Sequence, residues 1–115
     1  MIDFYNNWFQ GFKNESLMNV TETEKAYTIE LRAVGLKKDE IKISFEDDVL
    51  VVKSEKKKND GENWLRHEFW NDSIDKRIII PGDSDRDNVK AKVEDGILKI
   101  EIPKTESKKS VIVIE

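Results

Sequence analysis

Between Ala91 and Ile102 the chain alternates apolar and charged residues on either side of a single break. Ala91-Lys92-Val93-Glu94 leads to Asp95-Gly96, and Ile97-Leu98-Lys99-Ile100-Glu101-Ile102 follows before Pro103. A two-residue turn of the favoured hand needs positive φ, and Asp-Gly supplies it at little steric cost. Period-two alternation places every second side chain on one face, so both flanking segments are predicted to be strands with one buried face. They pair as a hairpin, and Pro103, which has no N–H to give a ladder, ends the second strand.

The same period recurs upstream. Tyr27, Ile29, Leu31 and Ala33 alternate with Thr28, Glu30 and Arg32, and Val34-Gly35-Leu36 then turns the chain. Ile41, Ile43 and Phe45 alternate up to Asp47-Asp48, a turn signal, and Val49-Leu50-Val51-Val52 follows. Ile74, Ile78 and Ile80 run into Pro81-Gly82, and Val89, Ala91 and Val93 complete the series. About seven or eight short antiparallel strands with Greek-key character predict an all-β, immunoglobulin-like sandwich. At 115 residues the chain is long enough for one core and too short for two.

Composition excludes several functions. Net charge is -4, with Lys and Arg interspersed among Asp and Glu, so there is no basic face for phosphates or an anionic bilayer and no nucleic acid partner is expected. No apolar run approaches the ~20 residues that span a membrane. The opening Met1-Ile2-Asp3-Phe4-Tyr5 lacks a basic n-region and a long apolar core, and cysteine is absent, which makes the cytosol the expected compartment. His67 is the sole histidine, so no zinc-type ligand set and no Ser-His-acid triad with a free choice of base can be assembled. No phosphate-binding glycine loop occurs. No metal, cofactor or catalytic residue is expected.

Three segments stand outside the alternation. In residues 1–19, Phe4, Trp8 and Phe12 fall four apart with Tyr5 and Phe9 beside them, an aromatic face on a short helix that Gly11 weakens. Five of the chain's ten aromatics lie here, on an arm too short to form a core. The arm either docks on its own domain or offers a surface to other proteins. The charged stretch Glu55 to Glu62 reads as a solvated loop, and Trp64 to Trp70 beyond it as an aromatic strand with nothing local to bury against. Beyond Pro103, a polar run from Lys104 to Ser110 leads to Val111-Ile112-Val113-Ile114, an apolar terminus that needs a groove.

The pattern Ala91, Gly96, Leu98, then Ile102-Pro103-Lys104, then Ile112-Val113-Ile114 resembles the signature of the small heat-shock proteins, the alpha-crystallin family. The resemblance extends from about Val20 to the end. It implies an aromatic arm over 1–19, an alpha-crystallin-type sandwich over 20–104, and a C-terminal extension with an I-x-I tail over 105–115. It further implies a chaperone that holds partly unfolded proteins without ATP, as dimers assembled into larger oligomers. By the same resemblance Phe4, Tyr5, Trp8, Phe9 and Phe12 bind clients. Ile112 and Ile114 form the oligomerisation tail, and its groove lies between the strand of Ile41 and Ile43 and the strand of Ala91 and Val93. Trp64, Leu65, His67, Phe69 and Trp70 belong to a loop that adds a strand to a partner subunit, with Lys76 in the same dimer interface. A hairpin folded back on its own sheet is the alternative for that loop. The sequence departs from the family at Val34, where Pro usually precedes the glycine, at Lys76, where Arg is usual, and in its short arm. A monomeric co-chaperone of the CS type, or another protein-interaction domain, shares the sandwich and is the competing reading.

Overall fold

The computed structural model describes residues 17–55 and 63–105. The aromatic arm, with Phe4, Tyr5, Trp8, Phe9 and Phe12, and the tail residues Ile112 and Ile114 lie outside the described residues. Seven strands form among those described: β1 (Met18–Glu22), β2 (Ala26–Arg32), β3 (Ile41–Glu46), β4 (Val49–Ser54), β5 (Asp75–Ile79), β6 (Lys90–Glu94) and β7 (Ile97–Pro103). They build a four-stranded sheet in the order β1-β2-β7-β6 and a three-stranded sheet in the order β3-β4-β5. Every pairing is antiparallel. Strand pairing starts at Met18, slightly before the period-two pattern becomes evident at Val20.

The hairpin that constrains the fold is present. Asp95 and Gly96 take φ of 54° and 75°, and the register Val93↔Leu98, Ala91↔Ile100 continues the ladder on both sides. Asp47 closes the β3–β4 turn with φ 53°, a conformation that Asp tolerates because its short side chain bonds locally. The register then carries the alternation into a shared interior. Leu31 faces Leu98 and Ile29 faces Ile100 in one sheet, while Leu50 faces Ile78 and Phe45 in the other. Leu31, Leu50, Val52, Ile78 and Ile100 are fully sealed from solvent. Between the sheets these side chains, with Ile74, Ile80, Leu98 and Ile102, form one apolar core. Each such side chain contributes about 1.5–3 kcal/mol through burial.

The outer faces carry Thr28, Glu30, Lys99 and Glu101 on one sheet and Lys42, Ser44 and Arg77 on the other, so the same two-residue period turns charge to the solvent side, with Lys76 the exception. Two single-turn 3-10 segments, at Lys38–Glu40 and Arg86–Asn88, carry the chain between sheets. No helix among the described residues is long and apolar enough to cross a membrane.

Candidate interaction surfaces

Four edge strands bound the two sheets: β1 and β6 on one, β3 and β5 on the other. The predicted groove residues fall on two of these edges. Ile41 and Ile43 on β3 are half-buried against the core, as is Val93 on β6. Ala91 lies on the same face as Ile100 yet is exposed, because β6 has no neighbour beyond it. Arg86, just before β6, donates to the Asp47 carbonyl and the Asp48 carboxylate and sits 5.6 Å over the Phe45 ring. That contact ties the approach to β6 to the far end of β3. The structure thus puts Ile41, Ile43, Ala91 and Val93 on the exposed rims of two different sheets.

The segment from Trp64 to Trp70 lies outside both sheets. No strand forms there, and it pairs with neither sheet of its own chain. A strand needs a ladder partner for its N–H and C=O groups, and among the described residues this segment pairs with none. Its apolar side chains stand in solvent instead: Trp64 is 60% exposed, Phe69 72%, Trp70 80%, and Leu65 fully. Isolated surface apolar residues are ordinary, but four large ones within seven positions make a concentrated apolar surface. His67 is the partly sheltered member. Its ring stacks on Trp64 at 4.1 Å and meets Trp70 edge-on at 4.0 Å.

The segment's root is fixed to the sandwich. The Asp72 carboxylate takes a bidentate grip from Arg32 and accepts the Val34 N–H at 2.8 Å, and the Asp72 N–H donates to the Val34 carbonyl at 2.8 Å. Gly35, at φ 82°, lets the Asn71 side chain approach to within a distance that a Cβ would occupy. Two residues on, Ile74 exchanges hydrogen bonds with Ser54, through the Ser54 hydroxyl at 2.8 Å and the Ser54 N–H at 2.9 Å. Neither Arg32 nor Asp72 is marked by any sequence pattern.

Lys76 lies on the inner face of β5 opposite Val52 and is only 5% exposed. Arg77 next to it points outward and pairs with Glu46 at 2.9 Å.

A second cluster absent from the sequence reading gathers where the C-terminal extension leaves the sandwich. The Tyr27 hydroxyl donates to Asp83 at 2.8 Å, and Lys104 sits 4.9 Å over the Tyr27 ring with its amine 2.8 Å from Glu22. Burial, then the hydrogen bond to Asp83, then the charges of Asp83 and Glu22 push the Tyr27 phenol up to about 12. Thr105 donates to the Asp83 carbonyl through both its N–H and its hydroxyl. Among the described residues, no group of three His, Cys, Asp or Glu side chains is placed to hold a metal.

The described residues thus form a charged two-sheet sandwich with four edge strands and an exposed apolar segment. Residues 19–115 match the model of the Hsp20/alpha crystallin family. The chain belongs to that family, the small heat-shock proteins. It is 40% identical over 83 residues to a chloroplastic small heat shock protein of Pisum sativum, covering 70% of this chain and 35% of the relative. To an 18.1 kDa class I heat shock protein of Medicago sativa it is 36% identical over 92 residues, covering 76% of this chain and 64% of the relative. The chain therefore spans between about a third and two thirds of the length of these curated relatives. Chloroplastic and class I relatives both match, so family membership fits more than one compartment. Among solved structures, a small heat-shock protein from Xylella fastidiosa superposes with a TM-score of 0.72 at 21% identity, over 87% of this chain and 94% of that one. The hspA protein of Xanthomonas axonopodis gives 0.64 at 23% identity, over 77% and 92%. Both share the fold.

Proposed function

We propose that the chain is an ATP-independent holdase that keeps partly unfolded proteins soluble, working as dimers built into larger oligomers and carrying out no catalysis. The observation that supports this most directly is the exposure of Trp64, Leu65, Phe69 and Trp70 on a sandwich whose core is already complete. Apolar surface that a fold does not use for itself is available to bury against another chain. In this reading the Trp64–Trp70 segment adds a strand to an unpaired edge of a second copy. The aromatics of the arm, Phe4, Tyr5, Trp8, Phe9 and Phe12, hold clients. Dense surface charge keeps the loaded complex in solution. The Xylella relative is described as having a distinct high order structure, which agrees with assembly.

The test is light scattering of a heat-denaturing substrate protein with equimolar full-length chain and no ATP. Suppressed scattering is expected, and it should weaken sharply when residues 1–19 are deleted. Scattering equal to the substrate alone would overturn the reading. The competing reading, a monomeric co-chaperone of the CS type, draws on the fact that the described core closes within one chain. A stable monomer by size exclusion with multi-angle scattering would favour it.

A further inference from the structure

The contacts within the exposed segment limit what it can do next. Trp64, His67 and Trp70 are spaced three apart, and their rings form a continuous cluster, stacked at 4.1 Å and edge-on at 4.0 Å. In an extended strand, residues three apart lie on opposite faces with Cα atoms about 10 Å apart, and Trp64 and Trp70 would be about 20 Å apart. The stack and the strand therefore exclude each other. A single chain holds the arrangement that ladder pairing forbids.

We propose that the Trp64–His67–Trp70 stack is a self-made clasp that holds this segment in a closed form and must open before the segment can pair as a strand with a second copy. The inference rests on the strand-exchange reading above and adds a specific brake to it. Three features support the clasp as a two-state element. Both ends of the segment's inner root are fixed, by Asp72 to Val34 and by Ile74 to Ser54, so opening changes the segment and leaves the sandwich alone. The stack uses two of the exposed aromatics but leaves Leu65 and Phe69 wholly or largely in solvent, so it shields the apolar surface only in part. No side chain of either sheet contributes a ring to it among the described residues. A clasp made only from the segment itself competes directly with intermolecular pairing, because each closed chain must give up two ring contacts to dimerise.

Tryptophan fluorescence provides a direct readout. In full-length chain carrying Trp8→Phe, only Trp64 and Trp70 emit. The His67 ring covers one face of Trp64, so the stacked indole emits differently from one without it. At one fixed pH, wild type and His67→Thr are expected to differ in emission as dilute monomer and to coincide as concentrated dimer. Because Thr cannot stack and favours strand, His67→Thr is also expected to tighten the dimer roughly two- to tenfold by sedimentation. No difference in the monomer, a difference retained in the dimer, or an unchanged dimer constant would each overturn the clasp. A dimer that survives replacement of residues 64–70 by a Gly-Ser turn removes strand exchange and the clasp with it. A dimer lost on that replacement, with the emission difference unaltered by dimerisation, removes the clasp alone.

Discussion

Arg32 and Asp72 are forty residues apart in the chain and joined at 3.0 to 3.2 Å by a fork of two guanidinium nitrogens on one carboxylate. The pair fixes the root of an exposed segment to the end of β2, and it depends on Val34. In the Ala33–Leu36 turn, closed by the Leu36 N–H on the Ala33 carbonyl, Val34 occupies the position where Pro is favoured and Gly35 the one that needs positive φ. Val34 keeps an N–H that Pro would lack, and that N–H is bonded to Asp72. The departure from the family pattern thus supplies a donor. Asp72 is nearly buried while Arg32 is half exposed, so the carboxylate needs its partners more than the guanidinium does.

Asp72→Ala should lower unfolding stability by about 1–2 kcal/mol, the range for losing hydrogen bonds to a charged group at a partly screened site. Val34→Pro should cost about 1 kcal/mol despite a φ suited to the turn, since it leaves one carboxylate oxygen without its backbone donor. Urea unfolding measures both. A stabilised Val34→Pro chain would show that turn rigidity outweighs the bond.

Gly35→Ala meets two separate penalties. A side chain at φ 82° is strained, and its Cβ would lie 2.2 Å from the Asn71 side chain. Asn71→Ala should leave a short side chain in the way and relieve only the part of the clash made by the amide group. A loss of about 2 kcal/mol or more is expected for Gly35→Ala alone, with partial recovery in the Gly35→Ala, Asn71→Ala double variant. Simple additivity of the two losses would contradict the contact.

Much of this fold can be read from the sequence, because alternation and turn chemistry are local. Asp95-Gly96 specifies its own turn, and Ile97 to Ile102 specify their own face. The unread parts are relationships between distant residues. Arg32 with Asp72 and Tyr27 with Asp83 leave no periodic mark, and an ordinary acid in a loop looks the same whether it is latched or free. The Trp64–Trp70 segment is the opposite case. Its composition suits a strand, but a strand is a property of a pair, and among the described residues it has no ladder partner.

Tyr27 predicts a pH effect of definite sign. Its phenol is pushed up to about 12 in the folded chain, against an ordinary value near 10. The folded state therefore holds this proton more tightly than the unfolded state. Its contribution is fully present below about pH 10 and is lost as pH rises toward 12. Lysines titrate in the same window, so the measure is a difference. Wild type minus Tyr27→Phe stability should fall between pH 10 and 12, by about 1 kcal/mol after allowing for solvent at the hydroxyl's rim position. A difference that stays flat would show that the Asp83 bond does not persist in solution.

Replacing residues 64–70 with a short Gly-Ser turn tests the exposed segment without touching the core. Because its large apolar side chains are already in solvent, the unfolding midpoint of the monomer should change little, within about 0.5 kcal/mol. Dimer affinity should collapse, since burying two or three such rings is worth roughly 2–3 kcal/mol each. Analytical ultracentrifugation decides it, and a dimer of undiminished affinity would place the interface elsewhere.

The tail and its proposed groove make the last test. In an extended segment Ile112 and Ile114 project to the same side about 7 Å apart, which suits two neighbouring sites along a strand edge, with Val113 facing away. From Thr105 to Ser110 the spacer has six residues and can span about 20 Å, enough to reach another dimer. Its starting point is firm, because Thr105 is bonded to Asp83 and Lys104 to Glu22. On the receiving side, Ala91 is the informative position. It stands exposed on the rim of β6, facing the same way as the core residue Ile100, so a larger polar side chain there should fit without disturbing the sandwich. Burying two Ile side chains is worth roughly 3–6 kcal/mol before the tail's ordering entropy is subtracted, so each contact should be weak and the assembly should depend on many. Ile112→Ala with Ile114→Ala should release free dimers of unchanged β content. Ala91→Glu should do the same from the other side, and combining all three should add nothing further, because both changes remove one contact. Native mass spectrometry reads each outcome. If Ala91→Glu leaves the large assembly intact while the tail variant dissolves it, the tail binds somewhere other than the β3 and β6 rims.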